Sequence, residues 1–176
     1  IFYEFSHLFV CTHARGMLRF SRRWEKVGKF YGRYDRNLDD RGRLQLPAKL
    51  FSESLPKSFF ALRGFEGCLS IYERADFEAL QERLSRSSYL DSDSRAFIRL
   101  TLASVREMEV DSHGRITISK ELLDRYHLGS EVVVLGIQDH FEVWDKHSFE
   151  EYEAKEGANY EKLAQSLKEK EDGQSL

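Results

Sequence analysis

The chain has 176 residues, 41% of them hydrophobic, and 27 Lys+Arg against 30 Asp+Glu for a formal net charge of −3. That is enough apolar sequence for one ordinary core, or for two very small ones sharing an interface. No apolar stretch approaches the roughly 20 residues of a membrane helix. Cys11 and Cys68 stand far apart outside any Cys-x-x-Cys pair, so a reducing cytoplasm is expected rather than a disulfide or zinc framework.

Residues 1–29 have no counterpart elsewhere in the chain and hold six Lys/Arg against two acids. Phe2, Phe5, Leu8, Phe9 and Val10 suit a short helix or a strand, and no basic region precedes them as a secretory signal would require. The segment reads as an extension, non-native or disordered, with Met17 or Val27 as alternative starts. Tyr31, Arg33, Arg36 and Leu38 predict a strand, and Asp39 to Gly42 a tight turn, because Asp accepts loop N–H groups and Gly takes positive φ. Leu44 to Leu46 resumes as strand, and Pro47 opens a helix expected over 48–55. Strands are predicted at Ser58–Leu62 and Cys68–Tyr72, joined by a turn from Gly64 to Gly67. An amphipathic helix follows from Ala75 to Ser85, with Phe77, Leu80 and Leu84 at helical spacing.

Asp91, Ser92 and Asp93 signal a helix start, and the apolar run through Leu102 carries it to Ala103. A second series follows: a strand to Val110, a loop, Ile116 to Ile118, a helix from Glu121 to Tyr126 stopped by Gly129, and strands Val132–Ile137 and Phe141–Trp144. A long charged helix is expected from Ser148, with Glu171 to Ser175 disordered. Residues 150–176 hold eight acids against four bases, whereas residues 30–49 hold five bases against three acids. The overall acidity is therefore concentrated at the C-terminal end, and local charge governs contact with phosphate.

The second series repeats the first. Leu38-Asp39-Asp40-Arg41-Gly42-Arg43-Leu44 returns 72 residues later as Val110-Asp111-Ser112-His113-Gly114-Arg115-Ile116. At that same offset, without a gap, Leu50 meets Leu122, Gly64 meets Gly136, Phe77 meets Phe149 and Glu78 meets Glu150. Each unit reads as strand, tight loop, strand, short helix, strand, turn, strand, helix, a duplicated structural unit.

Within Asp-x-x-Gly-Arg, the Asp and Gly are read as loop architecture: Asp39 and Gly42 in the first copy, Asp111 and Gly114 in the second. The Arg admits two readings. It pairs with the loop's own carboxylate, or it projects from the strand end, where a planar guanidinium grips phosphate or a guanine edge. Arg41, Arg43 and Arg115, with Arg33 and Lys49 nearby in sequence, form the candidate DNA-binding set. Tyr72, Phe77, Phe141, Trp144 and Phe149 are expected in the core or at a subunit interface, and His127, His140 and His147 at the surface or in packing.

Gly32-Arg33-Tyr34-Asp35, Asn37 to Leu44 and Leu46-Pro47-Ala48-Lys49 resemble the start of the MraZ family of bacterial transcriptional regulators. Asp91-x-Asp93-x-Arg95-Ala96-Phe97-x-Arg99, Asp111-x-x-Gly114-Arg115-Ile116, Val132 to Gly136 and Phe141 to Lys146 are similar to the rest of that family, so the resemblance covers about residues 30–160. It implies an α+β fold of two AbrB-like swapped-hairpin β-barrel units related by a pseudo-two-fold within the monomer. It also implies ring-shaped homo-oligomers in the cytoplasm, associated with the nucleoid. Their target would be double-stranded DNA carrying direct repeats, and their effect repression of the cell-division and cell-wall gene cluster containing the regulator's own gene. The expected domains are residues 1–29 as extension, 30–89 as repeat one, 90–105 as connecting helix, 106–150 as repeat two and 151–176 as charged helix and tail.

Two departures from exact repetition bear on the site. Ser119 stands where the first copy has Pro47, and is expected to loosen the start of the helix after it. His113 replaces Arg41, and residues 106–120 balance at three bases against three acids, so Arg43 is expected to contact DNA more strongly than Arg115.

Catalysis is not expected. The Asp, Ser and His of the second loop are not matched in the first, and no nucleophile motif, phosphate-binding glycine loop or metal-ligand spacing occurs. No cofactor, small-molecule substrate or membrane partner is expected. The alternative is an AbrB-like ring-forming protein-interaction or antitoxin-like module that touches DNA incidentally.

Overall fold

Alternating apolar residues lay down strands that turn one face to the core, and the repeat places them in two interleaved sets. The computed structural model describes residues 30–51, 55–87 and 90–173; the extension at residues 1–29 lies outside them. In chain order the elements are β1 (Phe30–Asn37), β2 (Arg43–Gln45), a 3₁₀ turn (Ala48–Leu50), β3 (Ser58–Arg63), β4 (Leu69–Tyr72), α1 (Arg74–Ser85) and α2 (Ser92–Ala103). The second unit supplies β5 (Arg106–Glu109), β6 (Arg115–Thr117), α3 (Lys120–Arg125), β7 (Glu131–Gln138), β8 (His140–Asp145), α4 (Lys146–Gly157) and α5 (Tyr160–Gly173).

All strand pairs are antiparallel. Six strands form a sheet in the order β1-β7-β8-β4-β3-β5, and β2 and β6 form a separate two-stranded ribbon. Exchanging the units reverses the six-strand order onto itself, so a pseudo-two-fold axis passes between β4 and β8, at the Ser70–Glu142 pair. The halves are swapped: β1 of the first unit pairs with β7 of the second, and β5 of the second with β3 of the first. Bridges Leu38–Leu44 and Val110–Ile116 tie the middle of the ribbon back to the residues just after the outer strands, closing a barrel.

The main core fills the space between the ribbon and the sheet. Leu44 and Ile116, opposite each other on the ribbon, are both fully buried and meet Phe59, Ile71, Val132, Val134 and Phe141 there. Burying side chains of this size contributes on the order of 2 kcal/mol each. On the other face of the sheet, Phe60 stacks on Phe77 of α1 at 4.6 Å, and Trp144 meets Phe149 of α4 at 5.6 Å. The five aromatics marked in the sequence are all in these cores.

The constant 72-residue offset fails at one strand. Phe59 and Ala61 share the main core with Val132 and Val134, an offset of 73, while Leu69 and Ile71 match Phe141 and Val143 at 72. The hairpin registers agree: Phe60 faces Tyr72 as Val133 faces Trp144, and Arg63 faces Leu69 as Gly136 faces Phe141. Gly64 and Gly136 are thus not equivalent. A Cβ on Gly64 would strike Cys68 Sγ within its own hairpin, and one on Gly136 would strike the backbone of Phe30 and Tyr31 in β1.

Helix ends also depart from expectation. The helix expected over 48–55 is a single 3₁₀ turn at Ala48–Leu50, with residues 52–54 outside the described set. Ser119 does not loosen its helix: its hydroxyl accepts from the Leu122 N–H, and α3 forms a full α-helical segment. Pro47, with no side-chain acceptor, starts only the 3₁₀ turn. His127 rather than Gly129 ends α3, taking φ +52° while the Leu128 N–H donates to Leu123 O. Asp145 caps α4, which begins at Lys146, before Ser148. Helix α5 continues to Gly173, so Glu171 to Gly173 are helical rather than disordered.

Candidate nucleic-acid interface

Both Asp-x-x-Gly-Arg segments fold into the same tight loop. In the first, the Gly42 N–H donates to Asp39 O at 2.9 Å and the Asp39 N–H to Arg43 O at 3.1 Å. Asp39 Oδ1 accepts from the backbone N–H of Arg41 and Arg43, each at 2.9 Å. In the second, Asp111 Oδ1 accepts from the N–H of His113 at 2.8 Å and of Arg115 at 3.0 Å, with Gly114 donating to Asp111 O. Gly42 and Gly114 take φ of +71° and +74°, which side chains disfavour. In both loops the Asp carboxylate accepts from two backbone N–H groups and the Gly supplies the positive φ.

The loop carboxylates are shifted accordingly. The backbone N–H of Arg43, joined by its guanidinium and the Arg41 N–H, holds Asp39 below the usual carboxylate range. Partial desolvation pushes Asp111 upward, but the Arg115 N–H, its guanidinium and the His113 N–H overcome this and pull it down to about 2.

The arginines pair with these same carboxylates. Arg43 Nε donates to Asp39 Oδ2 at 2.6 Å. Arg115 Nε donates to Asp111 Oδ2 at 2.8 Å, and its Nη2 lies 2.7 Å from that same oxygen. Pairing does not bury them: the Arg43 side chain stays 30% exposed and that of Arg115 27%. In the ribbon, Arg43 faces Thr117 and Gln45 faces Arg115. Opposed residues of an antiparallel pair share a face, so these four side chains line the outer face while Leu44 and Ile116 point inward. The two arginines sit diagonally across that face, one beside each loop.

The loops are stitched across the pseudo-two-fold. Gly42 O accepts from the Ile118 N–H at 2.9 Å, and Gly114 O from the Leu46 N–H at 3.2 Å. One further contact has no counterpart. Gln45 Nε2 donates to His113 O at 3.1 Å and to Gly114 O at 3.2 Å. Thr117 occupies the equivalent position and, among the described residues, makes no such bond.

Of the remaining candidates, Arg41 is exposed on the first loop and Lys49 is exposed on the turn after β2. The structure does not bring Arg33 to this surface. It lies on the opposite face of the sheet, where it pairs with Glu153 of α4 at 2.8 Å and with Asp35 at 3.4 Å and sits over the Phe149 ring at 5.2 Å. Alternation along β1 explains this, since Tyr34 faces the main core and Arg33 therefore faces away. Sequence reasoning passed over Gln45, whose only signal is its place between two inward apolar residues. No group of three or more His, Cys, Asp or Glu among the described residues could hold a metal ion, and none of their helices is long and apolar enough to cross a membrane.

Two interlocked units, swapped strands and a loop-flanked ribbon define a duplicated AbrB-like protein. The family model described as "MraZ protein, putative antitoxin-like" matches residues 30–100 and 102–170. A protein of Acetivibrio thermocellus named "Transcriptional regulator MraZ" is 35% identical over 138 residues, covering 78% of this chain and 96% of that relative. A Lactiplantibacillus plantarum protein of the same name is 36% identical over the same length, covering 78% and 97%. The chain belongs to the MraZ family.

Proposed function

We propose that this chain is a transcriptional regulator that binds double-stranded DNA in a sequence-specific way and has no catalytic role. The observation that carries the reading is the outer face of the β2–β6 ribbon. A two-stranded ribbon fits the major groove, and this one presents Arg43 and Arg115 on one face, with Arg41 exposed on the first loop and Lys49 exposed on the turn after β2. The relatives' name, transcriptional regulator, points the same way. Asp39, Gly42, Asp111 and Gly114 hold the loops in shape, and Arg33 supports the α4 face instead.

One chain offers few phosphate contacts, and so few leave affinity near nonspecific levels at physiological salt. A ring of copies engaging direct repeats supplies the missing affinity by avidity. Repression is then steric, acting on the cell-division and cell-wall gene cluster that contains the chain's own gene, in the cytoplasm at the nucleoid.

A second reading, a protein-interaction or antitoxin-like module, is favoured by the exposed apolar residues Phe97 and Leu100 of α2 and Leu163 and Leu167 of α5. Titration of the full chain with DNA from immediately upstream of its gene, against a scrambled fragment, separates the two. The regulator prefers the upstream fragment and loses affinity steeply with salt, whereas equal binding to both fragments supports the module.

A further inference from the structure

The β2–β6 ribbon is nearly symmetric, and one contact that breaks the symmetry falls on a side chain that faces outward. Gln45 belongs to the strand that follows the first loop, yet its amide reaches across the ribbon to two backbone carbonyls of the second, His113 O and Gly114 O. Gly114 O thereby accepts twice, from the Leu46 N–H and from Gln45 Nε2. The matching Gly42 O accepts from Ile118 N–H, and Thr117 adds nothing to it among the described residues. A threonine hydroxyl stands two bonds from Cα, whereas a glutamine amide nitrogen stands four bonds away, so reach accounts for the difference. Gln45 is exposed, and an exposed side chain used to hold another loop's backbone is not needed for the core.

From this geometry we infer that Gln45 is a positioning residue for DNA recognition, clamping the second loop so that Arg115 is presented in a fixed place. The inference rests on the DNA-binding reading. Because the clamp is one-sided, each chain offers DNA one preset arginine and one that can adjust. The orientation of the chain on its site is then set by the difference between loops, although the backbone is nearly two-fold. In free-energy terms, the cost of ordering the second loop is met on folding rather than on binding.

The test uses the full chain with Gln45→Ala and Gln45→Glu, the second keeping size while removing the donor. Amide exchange of His113, Gly114 and Arg115 is compared with that of Arg41, Gly42 and Arg43. Exchange in the second loop is expected to rise tenfold or more in both variants, with the first loop unchanged. Equal loosening of both loops, or no change in the second, overturns the clamp. Affinity for the upstream fragment is then measured in Gln45→Ala, Arg115→Ala, Arg43→Ala and the two doubles that include Gln45→Ala. The Gln45 loss, no larger than that of Arg115→Ala, is expected to disappear in the Arg115→Ala background and to persist in the Arg43→Ala background. Full additivity with Arg115→Ala overturns the positioning role, since a merely structural effect would add to both. If the unaltered chain binds upstream and scrambled DNA equally, the regulator reading falls with the recognition role, while the exchange data still decide whether Gln45 holds the loop.

Discussion

The first and second loops share a motif, a backbone and a hydrogen-bond pattern, yet they hold their arginines differently. Both arginines donate through Nε to the loop carboxylate, Arg43 at 2.6 Å and Arg115 at 2.8 Å, and in the second loop Arg115 Nη2 also lies 2.7 Å from that oxygen. The second loop also carries the Gln45 clamp and, with His113 in place of Arg41, less positive charge. Duplication preserved the part of the loop fixed by backbone geometry, and the divergence lies in the groups that decide what the loop offers to solvent.

The largest effect that sharpens this contrast is expected at the glycines. A Cβ on Gly42 would lie 2.5 Å from the Ile118 carbonyl oxygen, which is backbone, whereas on Gly114 it would lie 2.9 Å from Leu55 Cδ1, the end of a flexible side chain. Both residues have positive φ. Gly42→Ala should therefore cost about 2–4 kcal/mol and Gly114→Ala about 1–2 kcal/mol, read from urea unfolding. Equal costs would mean that the two loops tolerate crowding alike.

Next in size is DNA binding. Arg43 has amino groups outside its bond to Asp39, so Arg43→Ala should reduce affinity for the upstream fragment by about tenfold or more, and Arg115→Ala by about threefold. A larger loss from Arg115→Ala would reverse the proposed ranking of the loops.

The smallest effect is a dependence on acid. Asp111 ionises in the folded chain at about 2, below its ordinary 3.8, because Arg115 and His113 donate to it. Its contribution to stability is therefore fully present above about pH 4 and is lost as pH falls through about 2. Thermal unfolding midpoints of the wild type and Asp111→Asn should differ above pH 4 and converge toward pH 2. A constant gap across that range would remove the carboxylate from the account of loop stability.

Local features were the most legible. Positive-φ glycines, Asp acceptors and apolar alternation act within a few residues, so the loops, the strands and α1 to α3 could be placed from sequence. Features that depend on distant partners could not. Gly64 and Gly136 align by identity at 72 residues, but one glycine makes room for Cys68 and the other for β1, and the shift of β3 against this offset is visible only in cross-strand register. Arg33 is basic and near the first loop in sequence, yet strand alternation turns it to the α4 face. The Gln45 bond spans 69 residues to Gly114, and no spacing rule announces it. The Ser119 cap lay within reach of sequence rules, since serine is a favoured N-cap; comparison with Pro47 obscured it.

The exchanged outer strands also govern when the molecule can fold. Phe30 of β1 pairs with Gln138 of β7, so β1 must wait for more than a hundred further residues before this partner exists. Pairings this distant in sequence slow folding, and until β7 emerges from the ribosome the first unit keeps an unpaired edge and an open apolar face. Late completion of the barrel makes the nascent first half the stage most exposed to aggregation, even though every one of its elements is already encoded.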